Sequence, residues 1–189
     1  MKDQEIRIAL KCQVLRRYSK TDDILIVDEL GVRHGAARVD LAVINGIIHG
    51  YELKSDFDTL ARLPHQSLIY NSVFDRMTLV VGKKHLDHAV KIVPDWWGIK
   101  VVELGNRGGA FFTSVRRPKN NPQSDLLSFT KLLWREEALT FLEEIGKADG
   151  VRSKPRAAVY SRLVEAADRE TIHPWVLQCL KSRTSWRSV

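Results

Sequence analysis

An aspartate, a glutamate and a lysine stand close together in an otherwise apolar stretch: Asp40, eleven further residues, Glu52, one residue, then Lys54. Two carboxylates brought near each other form a hard oxygen site suited to Mg2+ or Mn2+, ions that keep several waters and accept phosphate oxygens. Such an ion polarises a phosphoryl group and acidifies a bound water, and a lysine on the same surface orients that water and offsets developing negative charge. Without a shared site, Glu52 and Lys54 are only a solvated ion pair worth under about 1 kcal/mol. The chemistry therefore depends on the backbone that positions the three.

Residues 38–44 and 47–54 are rich in β-branched and apolar residues, and Asn45-Gly46 between them is a hairpin signal. Side chains alternate faces along a strand, so Glu52 and Lys54 share one. A two-residue turn would pair Ile44 with Ile47 and put Asp40 on the opposite face. A three-residue loop, Ile44-Asn45-Gly46 with Gly46 left-handed, pairs Val43 with Ile47 and sets Arg38 opposite Glu52, with Asp40 diagonal to it. The expectation is an odd loop. One face then shows Asp40, Ala42, Gly50, Glu52 and Lys54, the small residues leaving room beside the charges, and the other face is core.

The hairpin is set among further elements. Apolar spacing predicts a first helix over 3–17, a strand over 24–27 and a turn over 31–35. A helix over 60–75 follows Lys54, with Pro64 in its first turn. On it Gln66 and Tyr70, four apart, share a face and can hold a phosphate or base beside the trio. Strands at 77–81, 98–104 and 111–115 follow, with a helix at 84–93 ended by Pro94 and a turn at Gly105–Gly109. Trp96 and Trp97 read as caps of the core at the sheet edge. Residues 116–124 read as a linker, 126–145 as one helix stopped by Gly146, and 155–167 and 172–182 as two more. The fold class is α/β: a mixed sheet of about five strands flanked by helices, divided into a core over 1–117 and a basic helical region over 118–189.

Composition narrows the function classes. The 189 residues have 44% hydrophobic and 28% charged content, enough for a sizeable core. No apolar run approaches the length of a membrane span, and the N-terminus lacks the apolar stretch of a signal peptide, so a cytoplasmic location away from membranes is expected. Cys12 and Cys179 are too few and too far apart for a zinc cluster or a disulfide framework. His85 and His88, one turn apart, read as the exposed start of a helix rather than a metal pair. The net charge is +7, and residues 150–189 hold eight Lys or Arg against three acids. That segment suits the phosphate backbone of DNA.

Asp40 in "ARVDLAVI", Glu52 and Lys54 in "GYELKSD", and Gln66 and Tyr70 in "RLPHQSLIY" resemble the PD-(D/E)XK nuclease superfamily, within it a small bacterial and phage family; Val39 stands where the superfamily name has proline. The resemblance covers residues 1–115. It implies a restriction-endonuclease-like core and a Mg2+- or Mn2+-dependent deoxyribonuclease, endonuclease rather than exonuclease, with room for a homodimer. It implies metal ligation by Asp40, Glu52 and the backbone carbonyl of Leu53, an upstream acid as a further ligand (Glu29, with Glu5 its rival), and catalytic roles for Lys54, Gln66 and Tyr70. The alternative expectation is a non-catalytic nucleic-acid-binding or phage accessory protein on the same fold.

Overall fold

In the computed structural model the described residues are 1–16, 23–105 and 109–183. They form a six-stranded mixed sheet with seven α-helices. The strands β1 (Leu25–Val32), β2 (Ala37–Ile44), β3 (Ile48–Lys54), β4 (Arg76–Gly82), β5 (Gly98–Leu104) and β6 (Ala110–Arg116) lie side by side in chain order. β1, β2 and β3 are antiparallel neighbours, β3, β4 and β5 are parallel, and β6 returns antiparallel to β5. The parallel steps need crossovers. Helix α2 (Leu63–Asn71) supplies the first; a 3-10 turn at Lys83–His85 and α3 (Leu86–Ile92) supply the second.

The middle strands are almost wholly buried, as runs such as MTLVV in β4 require when both faces of a sheet are covered. Helix α1 (Asp3–Gln13) covers one face, setting Ile6 and Leu10 against Leu41, Val43, Tyr51, Leu53, Val80 and Val102. The other face packs on α2, α3 and the C-terminal helices α4 (Leu126–Thr130), α5 (Arg135–Glu144), α6 (Arg156–Ala166) and α7 (Arg169–Ser182) in one continuous apolar cluster. Asp75, between α2 and β4, ties the last helix to the sheet: it accepts from the Ile48 amide at 2.8 Å, Arg169 at 2.7 Å and His173 at 2.9 Å.

Several expectations shift. The sheet holds six strands rather than about five, because every expected strand segment joins the one sheet; the first, expected over 24–27, runs on to Val32 and pairs with the whole of β2. The first helix ends at Gln13, and residue 17 lies outside the described residues, as do 106–108 of the expected Gly105–Gly109 turn. The single helix expected over 126–145 is two: the Glu137 carboxylate turns back to accept from the Trp134 amide at 2.6 Å, starting α5 afresh. Trp96 and Trp97 are buried in the core, and Trp97 donates to Asn71 at 2.8 Å. No helix among the described residues is long and apolar enough to cross a membrane.

Candidate functional site

The β2–β3 loop has the expected odd length, displaced by one residue. It is Asn45-Gly46-Ile47, with Gly46 left-handed at φ +65° and the Asn45 amide bonded to the Ile47 carbonyl at 2.9 Å. Ile44 therefore pairs with Ile48, Ala42 with Gly50 and Leu41 with Tyr51. Parity survives while the register moves by two. One step beyond the last pair, Asp40 faces Glu52 itself rather than lying diagonal to it. The space beside Gly50 is not left open, because the Met77 and Phe74 side chains fill it.

Every sequence-predicted side chain of the cluster comes together. Glu52, 1% exposed, accepts from Lys54 Nζ at 2.5 Å and Gln66 Nε2 at 2.7 Å through Oε1. The Tyr70 hydroxyl lies 2.9 Å from Glu52 Oε2 and 2.7 Å from the Arg38 carbonyl, its one proton serving either. Asp40 Oδ2 accepts from the Leu53 amide at 2.7 Å. The N–H of Leu53, rather than its carbonyl, is thus the group seen to meet Asp40. Gln66 reaches Glu52 because α2 follows β3 directly and its four-residue spacing stacks Gln66 over Tyr70.

Crowding two carboxylates in a partly dry place disfavours their charge. Burial, then the Glu52 charge, pushes Asp40 up to about 7 despite the Leu53 amide and Lys54. Burial also raises Glu52, opposed by Lys54, Tyr70 and Gln66. The Tyr70 phenol is held well above its ordinary value by burial and by Glu52.

One residue at the centre of this cluster carries no motif. Arg7, on α1, places Nη2 3.2 Å from Asp3, 2.5 Å from Glu29 and 3.0 Å from Asp40, with Nη1 3.9 Å from Asp28. Glu29 lies across from Asp40, between the pairs Asp28–Leu41 and Leu30–Val39, with a positive φ of 55°. Its carboxylate also stands 3.9 Å from Arg38. Glu5, the rival acid, instead caps its own helix by accepting from the Lys2 amide at 2.7 Å. The signal for Arg7 was present as Asp3 and Arg7 four apart on the flank of the helix face that buries Ile6 and Leu10.

Arg7, Glu29, Asp40, Glu52, Lys54 and Gln66 line a pocket of about 760 Å³, to which the β1–β2 turn adds Gly35 and Ala36, α2 adds His65 and the residue before α2 adds Arg62. Gln66 Oε1 is buried with no hydrogen-bond partner. Among the described residues, no group of three His, Cys, Asp or Glu side chains converges as a metal site. His85 is bonded to the Asp58 carbonyl at 3.0 Å, and with His88 it lines a separate apolar hollow. Cys12 and Cys179 are free thiols.

The basic C-terminal region is less open than its charge sum suggests. Arg152 pairs with Asp149 and Glu143, Arg162 with Glu165, Arg169 with Asp75, Lys181 with Asp23 and Arg183 with Glu137. Arg187 lies outside the described residues.

Against known proteins, the chain matches the family model described as Bacteriophage P4 protein cII over residues 1–188. Protein cII of Enterobacteria phage P4 is 29% identical over 147 residues, covering 77% of this chain and 54% of that protein. The chain spans about half the length of this curated relative. No solved structure matches it. The family match overturns the resemblance to PD-(D/E)XK nucleases and, with it, the expectations of a deoxyribonuclease, hydrolase or endonuclease. Those expectations came from motif residues on one hairpin and helix, within a resemblance over residues 1–115. The family match extends through the C-terminal helices as well.

Proposed function

The chain belongs to the bacteriophage P4 protein cII family, and from that premise we propose that it is a DNA-binding protein that receives backbone phosphate at the Asp40–Glu52 pocket, with a divalent cation shared between protein and phosphate. The observation that carries this reading is the crowded carboxylate pair, with Asp40 raised to about 7, opening on a pocket rimmed by Arg38, Arg62 and His65. Burying two carboxylates against each other costs stability unless something compensates them. Lys54 compensates Glu52, and Arg7 is shared among Asp3, Glu29 and Asp40.

The donor set fits Mg2+ or Mn2+: two hard carboxylates and an unsatisfied amide oxygen, Gln66 Oε1, at one pocket. Asp40 and Glu52 would hold the ion, with the Leu53 carbonyl and a Glu29 released from Arg7 as further donors. Bound there, the ion would neutralise the pair and offer open positions to phosphate oxygens. The side chains divide the remaining work. Lys54, 6% exposed, favours the ionised form of Glu52 against its burial, Tyr70 and Gln66 fix its orientation, and Arg38 and Arg62 at the rim would meet the flanking phosphates.

Titration calorimetry with MnCl2, alongside fluorescence anisotropy of a labelled DNA duplex in Mg2+ or in chelator, tests the reading. The wild type should bind Mn2+ and hold DNA more tightly with Mg2+; Asp40→Asn and Glu52→Gln should lose both effects while remaining folded by circular dichroism. Mn2+ binding that is unchanged in both variants would sink the proposal.

A further inference from the structure

Beside the pocket, the β1–β2 turn and the C-terminal helices bring together cations that the ion pairs of the fold do not absorb. Arg33 and His34 occupy the turn with φ of 49° and 59°, a left-handed backbone that histidine adopts more readily than most residues but arginine seldom does, and both side chains are exposed. Such positions cost stability and persist where the surroundings or a function require them. The turn leads straight into the pocket wall through Gly35, Ala36 and Ala37 to Arg38.

On its other side the turn touches the C-terminal helices. The His34 ring packs on Tyr160 of α6, with centroids 5.4 Å apart, and His34 Nδ1 lies 3.4 Å from Arg156 Nη1. Lys131, at the end of α4, is near enough to add to the positive field at His34. Burial first, then Arg156 and Lys131, hold the His34 imidazole below its ordinary value. Arg33, Lys131 and Arg156 stand in no ion pair within 4.0 Å among the described residues, though Lys131 lies in the field of Asp125, the cap of α4. This sets them apart from Arg152, Arg162, Arg169, Lys181 and Arg183, each held by a carboxylate.

We infer that the β1–β2 turn, the end of α4 and the start of α6 form a phosphate track continuous with the pocket, along which Arg33, His34, Lys131 and Arg156 hold successive phosphates of a DNA strand. The track rests on the reading of DNA as partner, and it deepens that reading by placing the contact surface. The basic C-terminal region contributes through Lys131 and Arg156, where it meets the turn, and not through its bulk of paired arginines. Tyr160 holds the imidazole against α6 and so links the two halves of the track.

The test is anisotropy of a labelled duplex over a salt series in chelator, so that no divalent ion takes part. A phosphate contact contributes a slope of about −0.9 in log K against log salt, so each one lost weakens binding about eightfold at 0.1 M salt. Arg33→Ala and Arg156→Ala should each show that loss and a shallower slope, while Arg152→Ala and Lys181→Ala stay within twofold of the wild type. Arg33→Lys should retain most of the affinity, showing that charge rather than folding is at stake, and Mn2+ binding should be unchanged in all of them. Should Glu52→Gln lose Mg2+-dependent binding while Arg33→Ala and Arg156→Ala bind as wild type, the track is overturned and the pocket reading stands. The reverse pattern keeps the track and removes the pocket. A wild type that does not bind DNA at 20 mM salt, or that takes up an acidic protein instead, overturns the track.

Discussion

Replacing Arg7 by glutamine isolates the electrostatics of the pocket, since glutamine keeps part of the stem and an amide but removes the charge. Arg7 is 17% exposed and serves Asp40 at 18%, with Asp3, Glu29 and Asp28 each more than two-fifths exposed. The exposed pairs contribute up to about 1 kcal/mol each. The 3.0 Å bond to the less exposed Asp40 contributes roughly 1.5–2 kcal/mol. Contacts sharing one guanidinium do not add fully, so a loss of about 2–3 kcal/mol is expected. The loss should also depend on pH. Asp40, raised to about 7, binds a proton more tightly in the folded state, so its protonated form supports the fold at low pH and that support falls as pH rises through about 7. Without Arg7 its ionisation is harder still, and the variant escapes most of the penalty by protonation at pH 5.5 but not at pH 8.5. Urea unfolding at the two pH values, with and without Mg2+, reads this directly. Mg2+ should recover stability in Arg7→Gln at pH 8.5 more than in the wild type, corresponding to about tenfold tighter ion binding, or about 1.4 kcal/mol. An equal loss at both pH values, untouched by Mg2+, would refute the placement of Arg7 as an internal cation competing with a bound one.

Two further predictions concern the supports of the site. Tyr70→Phe keeps the edge contact with Phe74 but removes the donor shared by Glu52 and the Arg38 carbonyl, and should cost about 1–3 kcal/mol in urea unfolding. Asp75 is the opposite case to Asp40: burial would raise it, but the His173 bond, the Ile48 amide and the charges of His173 and Arg169 hold it below the usual carboxylate range. A depressed folded value stabilises above the unfolded pKa and is lost as pH falls through the folded one. The wild type should therefore lose stability below about pH 4, whereas Asp75→Asn should start about 2 kcal/mol lower at neutral pH and show a flatter acid limb.

What was legible in the chain was local. The parity of the β2–β3 loop followed from requiring Asp40 and Glu52 on one face, since a slip of one residue would have turned Asp40 into the opposite layer. Its register did not follow, because Ile44 and Ile47 are equally good strand and loop-edge residues and only pairing in the folded sheet chooses between them. Gln66 and Tyr70 were legible for the same reason as the loop: a four-residue helical spacing needs no knowledge of the rest of the fold. Arg7 was not, because its partners lie twenty or more residues away on β1 and β2, apart from Asp3. The resemblance that the hairpin and helix suggested covered residues 1–115 on the strength of a few motif positions, and it gives way to a match over residues 1–188.

The C-terminal region shows how far a charge sum can mislead about a surface. Eight cations against three acids over 150–189 read as a free basic face. The acids that meet those cations come largely from outside the segment: Asp23 and Asp75 from the sheet region, Glu137, Glu143 and Asp149 from α5 and the loop after it. Net charge over a stretch of sequence counts only the acids inside it, while Coulomb energy counts every acid within a few ångströms. What separates Arg156 from Arg169 is therefore not its place in the tail. Arg156 faces a histidine on a strained turn, and Arg169 faces the carboxylate that fastens α7 to the sheet. A cation left beside an imidazole that its own field keeps from charging, at the mouth of a pocket, is the one whose charge is still available to a phosphate.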